Sequence, residues 1–301
     1  MKYGFRLMWI NKSAIVKLSC TYTGIIFTLW GFVSLFNPLE DLLAEDVTFI
    51  CKILIGFIIL LAVFILSTII SCFIVIGSNQ KCIGESSTGN KVYVKYGDMY
   101  SPNIIKKGYT GKRAIVISVN RCFDTIVDDK LISSSSQHGQ IFNMLYEAGL
   151  YTPETLGRKI SNLLAGNVNY IELDPRAKSK GNTKRYNAGT IVNLQVDKNL
   201  SYYLIGLSYF DQYLNAQTTK EDFVIAVQKL IEFCNRNSQG YPVILPLLGS
   251  GLSRTGINLK DILNYLVDAF AINKDIIIND FYIIVWKDNK DKVSIQELRK
   301  W

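Results

Sequence analysis

The segment LLGSGLSRTG (247–256) puts three glycines, two serines, a threonine and an arginine between an apolar run, YPVIL, and a helix-like run, NLKDILNYLVDAFAIN. Glycine lets backbone N–H groups close on an anion, and a helix start adds a partial positive charge. Gly249, Ser250, Gly251, Leu252 and Ser253 would wrap one phosphate there, with Arg254 adding a full charge. The loop is not a Walker A loop, for it lacks the GxxxxGK lysine. A dinucleotide fingerprint fails too, because Arg254 stands where its last glycine belongs. Two more segments end apolar strands on a polar residue: YGDMYS (96–101) carries Asp98 and Met99, and AIVISVN (114–120) ends in Asn120. From the residues alone, the glycine loop also suits a plain connection, Asp98 a turn and Asn120 a strand-end cap. The only histidine is His138, followed by Gly139, and the six cysteines form no C-x-x-C pair. That pattern fits a reducing compartment and gives neither a zinc site nor a metal cofactor.

The elements that must hold these residues read clearly. Strand-like runs are KVYVKYG, RAIVISV, GTIVNLQV, YYLIGLS, YPVILPLL and DFYIIVW; helix-like runs begin at SSSQHGQ, TPETLGR, TTKEDFV and NLKDILN. Phe223, Val227, Leu230, Ile231 and Cys234 recur at three- and four-residue spacing behind a Thr cap, which predicts one buried stripe. Strands mixed with helices predict an α/β sandwich over residues 91–301, joined by a polar linker, 78–90, to an N-terminal segment, 1–77.

That N-terminal segment holds two uncharged runs, about 18–36 and 53–76, each long enough to cross a bilayer core of about 20 residues. Lys2, Arg6, Lys12 and Lys17 precede the first run, whereas the connection between the runs carries Glu40, Asp41, Glu45 and Asp46 and no base. Basic flanks stay inside, so the expectation is a membrane hairpin with both ends cytoplasmic. Residues 1–77 hold five bases and four acids, so about +7 of the total +8 lies on the remainder. A basic domain suits anionic ligands, but no nucleic-acid module is recognisable and no nucleic-acid partner is expected.

The order of strand, Gly-Asp, strand ending in Asn, and late Gly-x-Gly resembles the macrodomain, an ADP-ribose-binding α/β/α module, which implies an α/β/α sandwich with a mixed sheet over residues 91–301. The resemblance implies that Asp98 accepts the adenine amine, that Asn120 lies at the distal ribose, and that Gly249, Ser250 and Gly251 wrap the diphosphate. Macrodomains that hydrolyse ADP-ribose linkages usually carry Asn-Ala-Ala-Asn followed by a glycine cluster; here VNRCFDTIVDDKLISSSSQHG stands instead. That stretch, with RYNAGTIVNL, YYLIGLSYFD and PLLGSGLSR behind two spans, is similar to the transmembrane macro effectors of bacterial type II Thoeris antiphage defence. Such effectors bind a histidine–ADP-ribose conjugate made by a partner TIR-domain protein, form homo-oligomers and compromise membrane lipid, and they need no cofactor. The resemblance adds Phe123, Asp124, His138 and Gly139 as candidates for the distal end of the ligand, Asp124 for an ammonium group. Gly189 and Thr190 are further candidates. It implies a binding protein without turnover, the alternative being a membrane-anchored ADP-ribosyl hydrolase or ADP-ribose reader.

Overall fold

A computed structural model describes residues 2–36, 48–249 and 255–301. The acidic connection between the spans (Glu40, Asp41, Glu45 and Asp46) and the loop residues Ser250, Gly251, Leu252, Ser253 and Arg254 lie outside them. The chain divides into two compact units, Met1–Asn79 with Lys290–Glu297, and Gln80–Asn289 with Leu298–Trp301.

In the first unit, α1 (Lys2–Ile10) leads into α2 (Lys12–Ser34), and α3 (Phe49–Gly77) follows. The helices α2 and α3 have 23 and 29 residues and are long and apolar enough to cross a membrane. Their burial is inverted relative to a water-soluble bundle. Ser19, Thr23, Ser67 and Ser71 are buried, whereas Leu29, Phe57 and Phe73 are at least 62% exposed. Small hydroxylated residues let helix backbones approach in lipid, where the outer apolar side chains find solvent of their own kind. The helix α2 begins without a side-chain cap from its own Asn11. The returning segment supplies one: the Glu297 carboxylate accepts the Ala14 N–H at 2.8 Å, Ser294 donates to Asn11 at 2.6 Å, and Asp291 pairs with Arg6 at 3.3 Å.

The second unit is built on one mixed sheet. Its strands are β1 (Gln80–Glu85), β2 (Lys91–Gly97), β3 (Arg113–Asn120), β6 (Ile191–Gln195), β7 (Leu200–Phe210), β9 (Val243–Pro246) and β10 (Phe281–Trp286). They lie in the order β1-β2-β10-β9-β3-β7-β6, with the short β8 (Ala216–Gln217) on β7. The inner five are parallel, and β1 and β6 are antiparallel edges. A separate hairpin pairs β4 (Tyr170–Glu172) with β5 (Lys184–Tyr186). Alternate side chains of the inner strands face opposite layers, as the two-residue period of a strand requires. Ile115, Ile117 and Tyr202 join the core carrying Phe142 and Leu145 of α4 (Gln137–Glu147) and Leu156 and Ile160 of α5 (Pro153–Leu164). On the other face, Tyr203 meets Phe233 of α6 (Lys220–Asn237) at 5.1 Å, and Phe281 meets Phe270 of α7 (Leu259–Ile272) at 4.6 Å. The expected α/β/α sandwich is present, and Phe223, Val227, Leu230, Ile231 and Cys234 form the buried stripe of α6.

Two boundaries need correction. Residues 78–90 are not a linker throughout: 80–85 form the edge strand β1, with Ile83 fully buried. Its cover comes from the far end of the chain, where Trp301 donates its N–H to the Ile83 carbonyl and lays its indole where a Cβ on Gly84 would stand. The second correction is that 290–297 groups with the N-terminal helices rather than with the sheet.

Candidate functional site

Because β3, β7 and β9 are parallel, their carboxyl ends reach one edge of the sheet, the usual place for a ligand in α/β folds. A cavity of about 420 Å³ opens there, within the size range of small-molecule sites. Its floor is Asn120 from β3, Ser208 and Phe210 from β7, and Gly249 beyond β9. One wall is the loop 129–136 with the first turn of α4, and another is formed by Leu214, Asn215 and Ala216. The amino end of α4 therefore borders the cavity, so its dipole favours an anion there. Gly249 has φ +75°, a left-handed conformation suited to glycine, and a Cβ there would come within 2.5 Å of Thr255.

Asn120 is buried, and its Oδ1 accepts the N–H of Cys122 at 3.0 Å and of Asp124 at 3.4 Å. That grip orients the carboxamide and leaves Nδ2 as the end offered to a ligand. His138 also lines the cavity at 7% exposure. Burial holds its imidazole down at about 3, against the pull of a hydrogen bond to the Asp124 backbone. It is neutral at physiological pH, sits edge-on to Phe142 at 4.4 Å, and has no hydrogen-bond partner on Nε2. Ser136 caps α4 by accepting the Gly139 N–H at 2.9 Å.

Other candidates stand elsewhere. Asp98 caps its own turn, accepting the Tyr100 N–H at 2.9 Å, and does not line this cavity, while Met99 is a core residue. Phe123 is buried edge-on to Tyr186 at 5.8 Å and covers Gly206, so it has no free face to stack on a ring or ribose. Asp124 is not available to a ligand ammonium: its carboxylate pairs at 2.9 Å with Lys178, both side chains being at most 2% exposed. Gly189 turns at φ +78° against Lys229 of α6, and Thr190 donates its hydroxyl to the Asn187 carbonyl, so both serve the entry to β6 instead. Glycine at 139 answers a packing need, because a Cβ would run into the Ser133 carbonyl. Gly139→Ala is expected to displace the 133–136 wall and lower stability by about 1–3 kcal/mol, read as a reduced calorimetric midpoint.

Ser208, Asn215 and Lys178 carry no signal in the sequence. The first two are single polar positions at the far end of a strand and in a turn, and Lys178 sits in a basic stretch without periodicity. No trio of His, Cys, Asp or Glu among the described residues stands close enough to hold a metal ion. Burial pushes the Cys122 thiol up to about 11, which leaves it unreactive at neutral pH.

Comparison with known proteins adds a family. The model of "Thoeris protein ThsA, Macro domain" matches residues 92–285. The chain is 25% identical over 282 residues to the Thoeris protein ThsA of Bacillus amyloliquefaciens (strain Y2), covering 92% of this chain and 87% of that one. Among solved structures, it is similar to the macrodomain of Mycobacterium tuberculosis DarG, with TM-score 0.38 and 16% identity over 64% of this chain and 96% of that one. A macrodomain protein from Streptomyces coelicolor gives TM-score 0.35 and 12% identity over the same shares.

Proposed function

The chain belongs to the Thoeris ThsA macro-domain family, and from that premise we propose that it is a membrane-anchored receptor for an ADP-ribose-derived signal in antiphage defence. The observation that carries the reading is the cavity at the carboxyl edge of the sheet, bordered by the start of α4, by Asn120 and by the left-handed turn at Gly249. A helix start and a glycine turn suit a diphosphate without a metal, and a carboxamide suits ribose hydroxyls. The ligand is a conjugate of ADP-ribose with an amino acid, histidine in the first instance, made by a TIR-domain partner. Binding drives homo-oligomerisation of the hairpins in the inner membrane, with the macro unit cytoplasmic, and the assembled spans breach the bilayer.

Such switching requires tighter ligand binding to the assembled state. Moving an equilibrium from 1:99 to 99:1 takes about 10⁴-fold differential affinity, about 5.5 kcal/mol. The receptor performs no turnover. Its thiol at Cys122 is buried and unreactive, and its histidine is buried with a strongly lowered basicity.

The test uses the full chain in nanodiscs and in liposomes, titrated calorimetrically with ADP-ribose and with histidine–ADP-ribose. Binding is expected, together with dye release from the liposomes. Gly251→Glu, which adds bulk and negative charge to the glycine loop, is expected to weaken it at least about 100-fold, equivalent to about 2.7 kcal/mol. Asn120→Ala is expected to weaken it about tenfold, one lost hydrogen bond's worth. Absence of binding to either nucleotide overturns the reading, and release of free ADP-ribose from an ADP-ribosylated substrate makes the protein a hydrolase instead.

A further inference from the structure

Behind the cavity wall lies a lysine that solvent does not reach. The Lys178 side chain is 0% exposed, and its ammonium donates to Asp124 Oδ1 at 3.1 Å, to the Lys180 carbonyl at 2.7 Å and to the Asn182 carbonyl at 2.8 Å. Asp124 answers by accepting the Asn182 N–H at 2.6 Å, and Asn182 Nδ2 donates to the carbonyls of Cys122 and Phe123 at 3.0 and 3.2 Å. Gly181 takes φ +84° beneath the carboxylate, in space that a Cβ would fill. The 178–182 loop thus grips the 120–124 turn from behind.

Stability alone is a poor reason for this arrangement. Two charges taken from water lose solvation that their mutual attraction often fails to return, and apolar replacements of similar volume are frequently as stable. Consistently, burial pushes the Asp124 carboxyl up in spite of the ammonium beside it. What the pair does supply is position. Asp124 donates its N–H to Asn120 and its backbone holds His138, and both of those side chains line the cavity. The same ammonium lies 5.7 Å from the ring centre of Phe210, a third lining residue.

We propose that Lys178, through its buried pair with Asp124, is a positioning residue that holds the Asn120–His138 wall in the shape that receives ligand, though it touches none itself. The consequence for ligand affinity rests on the receptor reading above. The consequence for the wall does not, and a single histidine makes it observable. Its ring resonances need no assignment, and the bond to Asp124 selects one tautomer, with the proton on the nitrogen that faces that backbone.

The experiment labels the full chain with ring-¹⁵N histidine in nanodiscs and compares the parent with Lys178→Met and with Asp124→Asn/Lys178→Met. The double variant leaves no buried charge unpaired and keeps the test open where the single one fails to fold. The parent is expected to show one neutral tautomer. The double variant is expected to keep a cooperative melt while showing mixed tautomers and ADP-ribose affinity weakened at least about tenfold. A folded double variant with the parent's single tautomer overturns the proposal. If the parent itself binds no ADP-ribose, the receptor reading fails, and the tautomer comparison still decides the role of Lys178.

Discussion

Phe142→Ala is expected to lower stability by about 3–5 kcal/mol, the usual cost of emptying a buried aromatic site. For a domain of this size that corresponds to a calorimetric midpoint lower by about 6–20 °C. Phe142 is 1% exposed, belongs to the core between α4 and the sheet, and packs its ring against both His138 and Tyr146. Its neighbours sit on strands and helices that relax only partly, so the space stays open. The damage reaches the cavity, because the phenyl ring excludes water from His138. A midpoint within about 2 °C of the parent would show that the site collapses without loss.

The second large effect is a dependence of stability on pH. The folded His138 imidazole is held down at about 3 by burial, against an ordinary 6.5. Below pH 6.5 the unfolded chain takes up a proton that the folded protein refuses, so stability is complete above 6.5 and falls as pH drops toward about 3. The slope is about 1.4 kcal/mol per pH unit, or about 2–3 kcal/mol between pH 7.5 and 4.5. His138→Gln removes the titrating group, so its denaturation free energy should stay flatter over that window than the parent's. Parallel profiles would mean that the histidine is solvated. The two experiments meet in one variant, since Phe142→Ala should return His138 toward ordinary basicity and soften the slope.

Much of the fold was legible because its elements carry their reasons locally. The α6 stripe follows from spacing within one helix, and β9 and β10 are apolar runs buried on both faces. The edge strand β1 was not legible, since half of QKCIGE is polar and its cover, Trp301, comes from the other end of the chain. In the site, Asn120 and His138 line the cavity, and Gly249 makes its turn with positive φ. Asp124 misled because a carboxylate beside a strand end reads the same whether it faces a ligand or a lysine 54 positions away. Lys178 itself gave no signal, for burial of a lysine depends on partners that only the folded chain assembles.

The cap that Glu297 places on the first of the two long apolar helices has a consequence for how the molecule is made. Its two partners are 283 positions apart. At about 5–20 residues per second, the helix waits roughly 15–60 s from its own synthesis until residue 297 is translated. Through that interval a ribosome-bound chain holds its spans without the returning segment that completes their unit. A nascent or prematurely ended chain therefore differs from the finished protein at the start of this helix, where the Ala14 N–H lacks the Glu297 carboxylate.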